Sequence, residues 1–171
     1  DSGKANIDVG VNISNGKWLG SLLANLRNPQ FISKERVPKD INAELRSYQE
    51  TGFRWLSYMN KLGFGACLAD DMGLGKTLQV LTFLSAMYKK NKKASVLLIV
   101  PASLLGNWEK EIRKFAPNLP FRILHGHRAE LMENSYLTES VFLNVTTYGM
   151  ALRMKKIANK KIDCLILDEA Q

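Results

Sequence analysis

The chain has 171 residues, 46% of them hydrophobic and 23% charged, which is a globular composition with enough length for about one domain and its core. Its net charge of +8 and isoelectric point near 9.5 favour an anionic partner such as nucleic acid. Its two cysteines, Cys67 and Cys164, lie in apolar runs that read as buried strands, which excludes a disulfide framework and suits a reducing cytosol; no apolar stretch approaches the roughly 18 residues of a membrane span and no signal pattern opens the chain, so a soluble, intracellular protein is expected.

In chain order, Asp1 to Gly16 is rich in Gly, Asn, Ser and Asp and reads as a loop or an incomplete element. Trp18, Leu19, Leu22, Leu23 and Leu26 recur at helical spacing before Asn28-Pro29 and predict a short amphipathic helix. A connector containing Pro38 follows. Leu45, Tyr48, Gly52, Trp55, Leu56 and Met59 then predict a longer helix that Gly63 ends. From Gly65 the pattern alternates: strand Ala66 to Ala69, helix Lys76 to Lys90, strand Val96 to Val100, helix Leu104 to Phe115, strand Phe121 to Leu124. Strand Val141 to Val145, a helix near Tyr148 to Ile157 and strand Ile162 to Leu167 complete it. Such alternation predicts an α/β fold with a parallel sheet covered by helices. The lysine pairs at 89–90, 92–93, 155–156 and 160–161 fall at predicted helix ends and loops, where a solvated cation suits the helix dipole.

Between the first strand and its helix lies Asp70-Asp71-Met72-Gly73-Leu74-Gly75-Lys76-Thr77. Phosphate binding needs backbone N–H groups converging on an anion with no side chain in the way, and a helix N-terminus behind them. Gly73 and Gly75 allow the close approach, Lys76 can neutralise β- and γ-phosphates, and the Thr77 hydroxyl can hold Mg. The generic phosphate loop begins with Gly, where this chain has Asp70. Downstream, Asp168 and Glu169 leave the last apolar strand together. Asp168 is placed to hold Mg and Glu169 to orient the attacking water, because phosphoryl transfer asks the protein for positioning and electrostatics. Taken singly, either motif could be a bare strand-to-helix turn or a strand ending in solvated acids. Together, in one alternating fold, they favour nucleotide chemistry.

The phosphate loop in the form Leu68-Ala69-Asp70-Asp71-Met72-Gly73-Leu74-Gly75-Lys76-Thr77-Leu78-Gln79 resembles the ATPases of the SWI/SNF family, a branch of the superfamily-two helicase-like proteins, in which the initial Asp is usual. The stretch Leu45 to Leu56 around Gln49 is similar to the family's leading glutamine motif, and Ile99 to Trp108 to another of its blocks. The resemblance covers about residues 41 to 171 and leaves 1 to 40 as a flanking segment, the possible tail of an upstream domain. It implies a P-loop RecA-like first lobe, truncated, with Gln49 reading adenine and ATP and Mg as cofactors. It also implies an ATP-driven translocase on double-stranded DNA, contacted through Pro101 to Asn107, His125-Gly126 and Thr146-Thr147-Tyr148, with Ser103, Asn107, His125, Thr146 and Thr147 as the phosphate-facing candidates. Ser103 could instead cap its helix, and Trp108 could simply pack.

Gln171 stands where many members have His, giving an Asp-Glu-Ala-Gln box. His125 and His127, without nearby Cys or a matching acid cluster, make a poor zinc signature. By the same resemblance a second RecA-like lobe in cis completes the motor, protein-complex partners are possible, no membrane is involved, and the location is cytoplasmic and nucleoid-associated in a bacterium or nuclear in a eukaryote. Without that lobe the stretch is expected to bind ATP weakly, to turn it over slowly, and to expose a sheet edge prone to self-association. The alternatives are a lobe of another superfamily-two DNA or RNA helicase and a non-catalytic DNA- or protein-binding scaffold; intact Lys76, Thr77, Asp168 and Glu169 argue against the latter.

Overall fold

The computed structural model describes residue 20 and residues 35–71, 73–126, 141–154 and 161–170. Of the expected helix from Trp18 to Leu26 only Gly20 is among the described residues, and Met72, His127 and Gln171 lie outside them. Helix α1 spans Ser47–Leu62, α2 Lys76–Lys90, α3 Leu105–Phe115 and α4 Tyr148–Arg153; strands are β1 Val96–Val100, β2 Phe121–Leu124, β3 Leu143–Thr147 and β4 Cys164–Leu167. A 3-10 turn, Ala102–Leu104, leads into α3.

The strands form one parallel sheet in the order β2-β3-β1-β4. Val96 stands beside Leu143 on one side and Cys164 on the other, and Phe121 beside Leu143. β1 is Val-Leu-Leu-Ile-Val because it is paired along both edges and covered by side chains: Val96, Leu98 and Val100 are fully buried. β4 is the sheet's last strand among the described residues, and its side chains alternate, with Leu165 and Leu167 exposed.

One continuous core joins α1, α2, α3, β1 and β3 through Phe53, Leu81, Leu84, Leu98, Ile112 and Val145, all fully buried. A smaller cluster of Leu124, Met150 and Met154 seats α4 by the end of β2. α1 ends at Gly63 in the left-handed conformation (φ 74), where its N–H bonds to the Asn60 carbonyl, the helix stop foreseen there. At the far end of α2, Lys89 pairs with Asp40 at 2.6 Å and Lys90 with Glu35, so these lysines fasten the preceding connector instead of being merely solvated.

Three expectations require correction. Residues 66–69 form no strand: Ala66, Cys67 and Ala69 are exposed and no ladder includes them, because an apolar run becomes a strand only where a partner edge meets it. Cys67 is therefore exposed, not a buried small hydrophobe, whereas Cys164 is half-buried and its thiol is pushed up by burial and by neighbouring Asp163. The third strand runs from Leu143 to Thr147, two residues later than Val141 to Val145, since pairing begins where Leu143 N–H reaches the Pro120 carbonyl. No helix among the described residues is long and apolar enough to cross a membrane.

Candidate nucleotide and acidic-strand site

Because every strand is parallel, the segments after β1, β2, β3 and β4 leave the sheet at one edge, where open α/β sheets place their ligands. The 3-10 turn with Ser103, then His125, then Tyr148 and lastly Asp168 and Glu169 all follow strand ends on that side.

The phosphate loop precedes α2. Gly73 (φ 84) and Gly75 (φ 75) both occupy the left-handed region, so glycine is required by conformation at each. At Gly75 it is also required by space, since a Cβ would meet Gln49 Nε2 at 2.4 Å. Gly75 is the N-cap of α2, Lys76 its first residue and Thr77 its second, so the free N–H groups of this helix end and its dipole face the loop. Lys76 Nζ turns back on the loop and donates to the carbonyls of Asp70 at 2.6 Å and Asp71 at 3.3 Å.

Gln49 is not the exposed helix residue it could have been. It is buried; its Oε1 accepts from Arg46 N–H at 3.0 Å and its Nε2 donates to the Leu74 carbonyl at 3.1 Å, tying α1 to the phosphate loop. Sequence reasoning missed Gln79. This side chain, fully buried one helical turn beyond Lys76, donates from Nε2 to Asp70 Oδ2 at 3.1 Å and holds the loop's first residue. Its Oε1 has no hydrogen-bond partner and lies against Gly52 of α1, where a Cβ would stand 1.8 Å away. The signal was a Gly on the apolar face of a predicted helix, where a larger residue would be expected unless something packs close.

Asp168 is pinned at three atoms. Its N–H donates to the Ile99 carbonyl at 2.9 Å, its carbonyl accepts from the Tyr148 hydroxyl at 2.7 Å, and its Oδ2 accepts from Trp108 Nε1 at 2.7 Å. Burial, with the charges of Asp168 and Glu169, pushes the Tyr148 phenol up, so it remains a donor. Trp108 thus packs, as one reading had it, and also carries a bond; a buried indole N–H needs an acceptor, which was the available clue. Glu169 is exposed and has φ 50, a left-handed conformation uncommon for a residue with a Cβ.

The structure brings Gln49, Leu74 and Gly75 together, and Asp70 with Lys76 and Gln79. The bonds of Lys76 stay within its loop, and those of Asp168 run to β1, α3 and α4. Among the DNA-facing candidates, Ser103, Asn107 and His125 are exposed, Asn107 donating to Glu111 at 3.2 Å, and Ser103 caps no helix. Thr146 and Thr147 correct the expectation. Both are buried; Thr146 Oγ1 donates to the Leu124 carbonyl at 2.8 Å and Thr147 Oγ1 accepts from Met150 N–H as the cap of α4, so neither hydroxyl faces outward.

The profile of the SNF2-related domain matches residues 48–171. A Bacillus subtilis protein named as an ATP-dependent helicase/translocase, YwqA, is 34% identical over 166 residues, which are 95% of this chain and 18% of that protein. The ISWI chromatin-remodeling complex ATPase ISW2 of Saccharomyces cerevisiae is 37% identical over 75% of this chain and 12% of its own length. Among solved structures, the Sulfolobus solfataricus SWI2/SNF2 ATPase core in complex with double-stranded DNA superposes with a TM-score of 0.70 at 42% identity, covering 80% of this chain and 28% of that one. The chain therefore spans less than a fifth of these two curated relatives.

Proposed function

The chain belongs to the SNF2-related family, and from that premise we propose that it is the ATP-binding lobe of a motor that hydrolyses ATP to move along double-stranded DNA. The observation that carries the reading is the loop at the start of α2: glycines in the left-handed conformation at 73 and 75, Lys76 at the first helical position, and Gln49 docked against the loop from α1. This arrangement suits a polyphosphate, whose charge the helix N-terminus and Lys76 neutralise together. Gln49, beside the loop, is the adenine-reading candidate, and Asp70, Asp71, Met72 and Leu74 supply the loop's backbone.

The Thr77 hydroxyl and the Asp168 carboxylate are hard oxygen donors of the kind Mg takes, and Oδ1 of Asp168 is not the oxygen that Trp108 engages, so the donor set fits that ion. Bound there, Mg would neutralise charge developing on the phosphates. Glu169, at the exposed end of β4, is the residue to orient the attacking water. Ser103, Asn107 and His125 are the side chains left to meet a DNA backbone at the same sheet edge. Support for duplex DNA as the track comes from the solved relative named with it.

The test is ATP hydrolysis by the full-length protein with duplex DNA, single-stranded DNA and RNA, beside its Lys76→Ala variant. Stimulation by duplex and loss of turnover in the variant are expected. Stimulation by RNA or single strands alone would favour another helicase branch, and undiminished function in Lys76→Ala would favour a scaffold that does not use ATP.

A further inference from the structure

Asp168 is held by groups from two segments that lie nowhere near it in sequence, Trp108 on α3 and Tyr148 at the start of α4. Trp108 is only 4% exposed, and its indole N–H could have been satisfied by a backbone carbonyl; instead it meets the carboxylate oxygen itself, at 2.7 Å. It follows directly on exposed Asn107, and the 3-10 turn carrying exposed Ser103 is joined to the same helix. Tyr148 is the first residue of α4, whose N-cap is Thr147, and its hydroxyl holds the Asp168 carbonyl. A shift of either segment must therefore stretch a short hydrogen bond or carry Asp168 with it.

We propose that Trp108 and Tyr148 are positioning residues for Asp168: Trp108 couples it to the segment after β1 that carries exposed Ser103 and Asn107, so that engagement of duplex DNA by that segment sets the orientation of the carboxylate, while Tyr148 steadies Asp168 from the start of α4. The inference rests on the function proposed above, and both residues act through Asp168. Contiguous side chains with short hydrogen bonds are a physical route for coupling, and coupling between two ligands is reciprocal: if DNA changes the affinity for nucleotide through Asp168, nucleotide changes the affinity for DNA by the same factor.

The experiment uses the full-length protein and its Trp108→Phe and Tyr148→Phe variants, which keep an aromatic ring at each position and lose the donors. Two quantities are read: the ratio of ATPase rates with and without saturating duplex DNA, and the ratio of duplex DNA affinities with and without a non-hydrolysable Mg–ATP analogue. Each variant is expected to lower both ratios by about fivefold or more while its nucleotide-free DNA affinity stays near wild type. A role in packing alone would lower both ATPase rates together and leave their ratio, and the affinity ratio, intact; that result overturns the proposal. Should Trp108→Phe fail to fold, the nearly isosteric Tyr148→Phe decides by the same two ratios. A wild type that duplex DNA does not stimulate defeats the parent reading and this one together, whereas a stimulated wild type with unaltered variants defeats this one alone.

Discussion

Gly52→Ala is a substitution whose sign separates two physical accounts. On an isolated helix it would stabilise by about 1 kcal/mol, because Ala loses less backbone entropy than Gly. In this fold the new Cβ would lie 1.8 Å from Gln79 Oε1 and 2.9 Å from its Cδ. A flexible side-chain end usually swings aside, but Gln79 is fully buried and tied by Nε2 to Asp70. Overpacking of this kind costs about 1–3 kcal/mol, and breaking the bond to the Asp70 carboxylate adds about 1.5 kcal/mol. Set against the helix-propensity gain, the net destabilisation is about 1.5–3.5 kcal/mol, or roughly 3–14 °C in melting temperature for a domain of this size. Urea unfolding followed by circular dichroism measures it, and the Gln79→Ala background supplies the control: with the amide gone, Gly52→Ala should become stabilising. A Gly52→Ala protein more stable than wild type in the native background would refute the account of Gln79 and its hold on the loop.

Asp40 gives a pH prediction. Burial alone would raise its pKa, but Lys89, a backbone hydrogen bond and Ser85 outweigh burial and hold it below the usual carboxylate value. A depressed folded pKa means the contribution is complete above the unfolded value and fades as pH falls through the folded one, so the loss begins below about pH 4. Asp40→Asn should cost about 1 kcal/mol or less at neutral pH and flatten acid unfolding, as read by stability curves from pH 7 to 2.5. Thr147→Ala should cost about 1 kcal/mol through loss of the α4 cap, with Thr147→Ser restoring most of it; equal stability in urea would mean that the hydroxyl is not a cap. Leu165→Lys with Leu167→Lys should suppress concentration-dependent association of this chain, measured by sedimentation, because β4 is the last strand of the sheet among the described residues and charge there blocks pairing with another copy. Association that persisted unchanged would place the contact elsewhere.

Helix α2 was legible to its end residues, since a phosphate-loop glycine fixes its start and its apolar stripe runs unbroken to the lysine pair. β1 and β2 were equally legible: β1 is a continuous apolar run that Pro101 ends, and β2, Phe-Arg-Ile-Leu, starts directly after Pro120. Residues 66–69 were misread for the same reason that β1 was read correctly: an apolar run carries no record of whether an edge awaits it. Composition likewise could not say that Thr146 and Thr147 turn inward, because a hydroxyl's direction depends on which strand lies beside it. Residue types at Lys76, Thr77, Asp168 and Glu169 announce a phosphate chemistry, whereas Gln79, which holds Asp70, and Trp108 and Tyr148, which hold Asp168, show those bonds only once the chain is folded.

The self-directed bonds of Lys76 carry a kinetic consequence. With its ammonium on the carbonyls of Asp70 and Asp71, the anion site already contains its own cation, and an arriving polyphosphate must exchange partners with the loop before it is fully held. Association should therefore proceed in two phases, a fast encounter and a slower release of the lysine, so that the observed rate levels off at high nucleotide concentration. The equilibrium affinity is lowered by the fraction of molecules in which the lysine is still latched. Anything that loosens those two carbonyls would quicken nucleotide capture without touching the nucleotide.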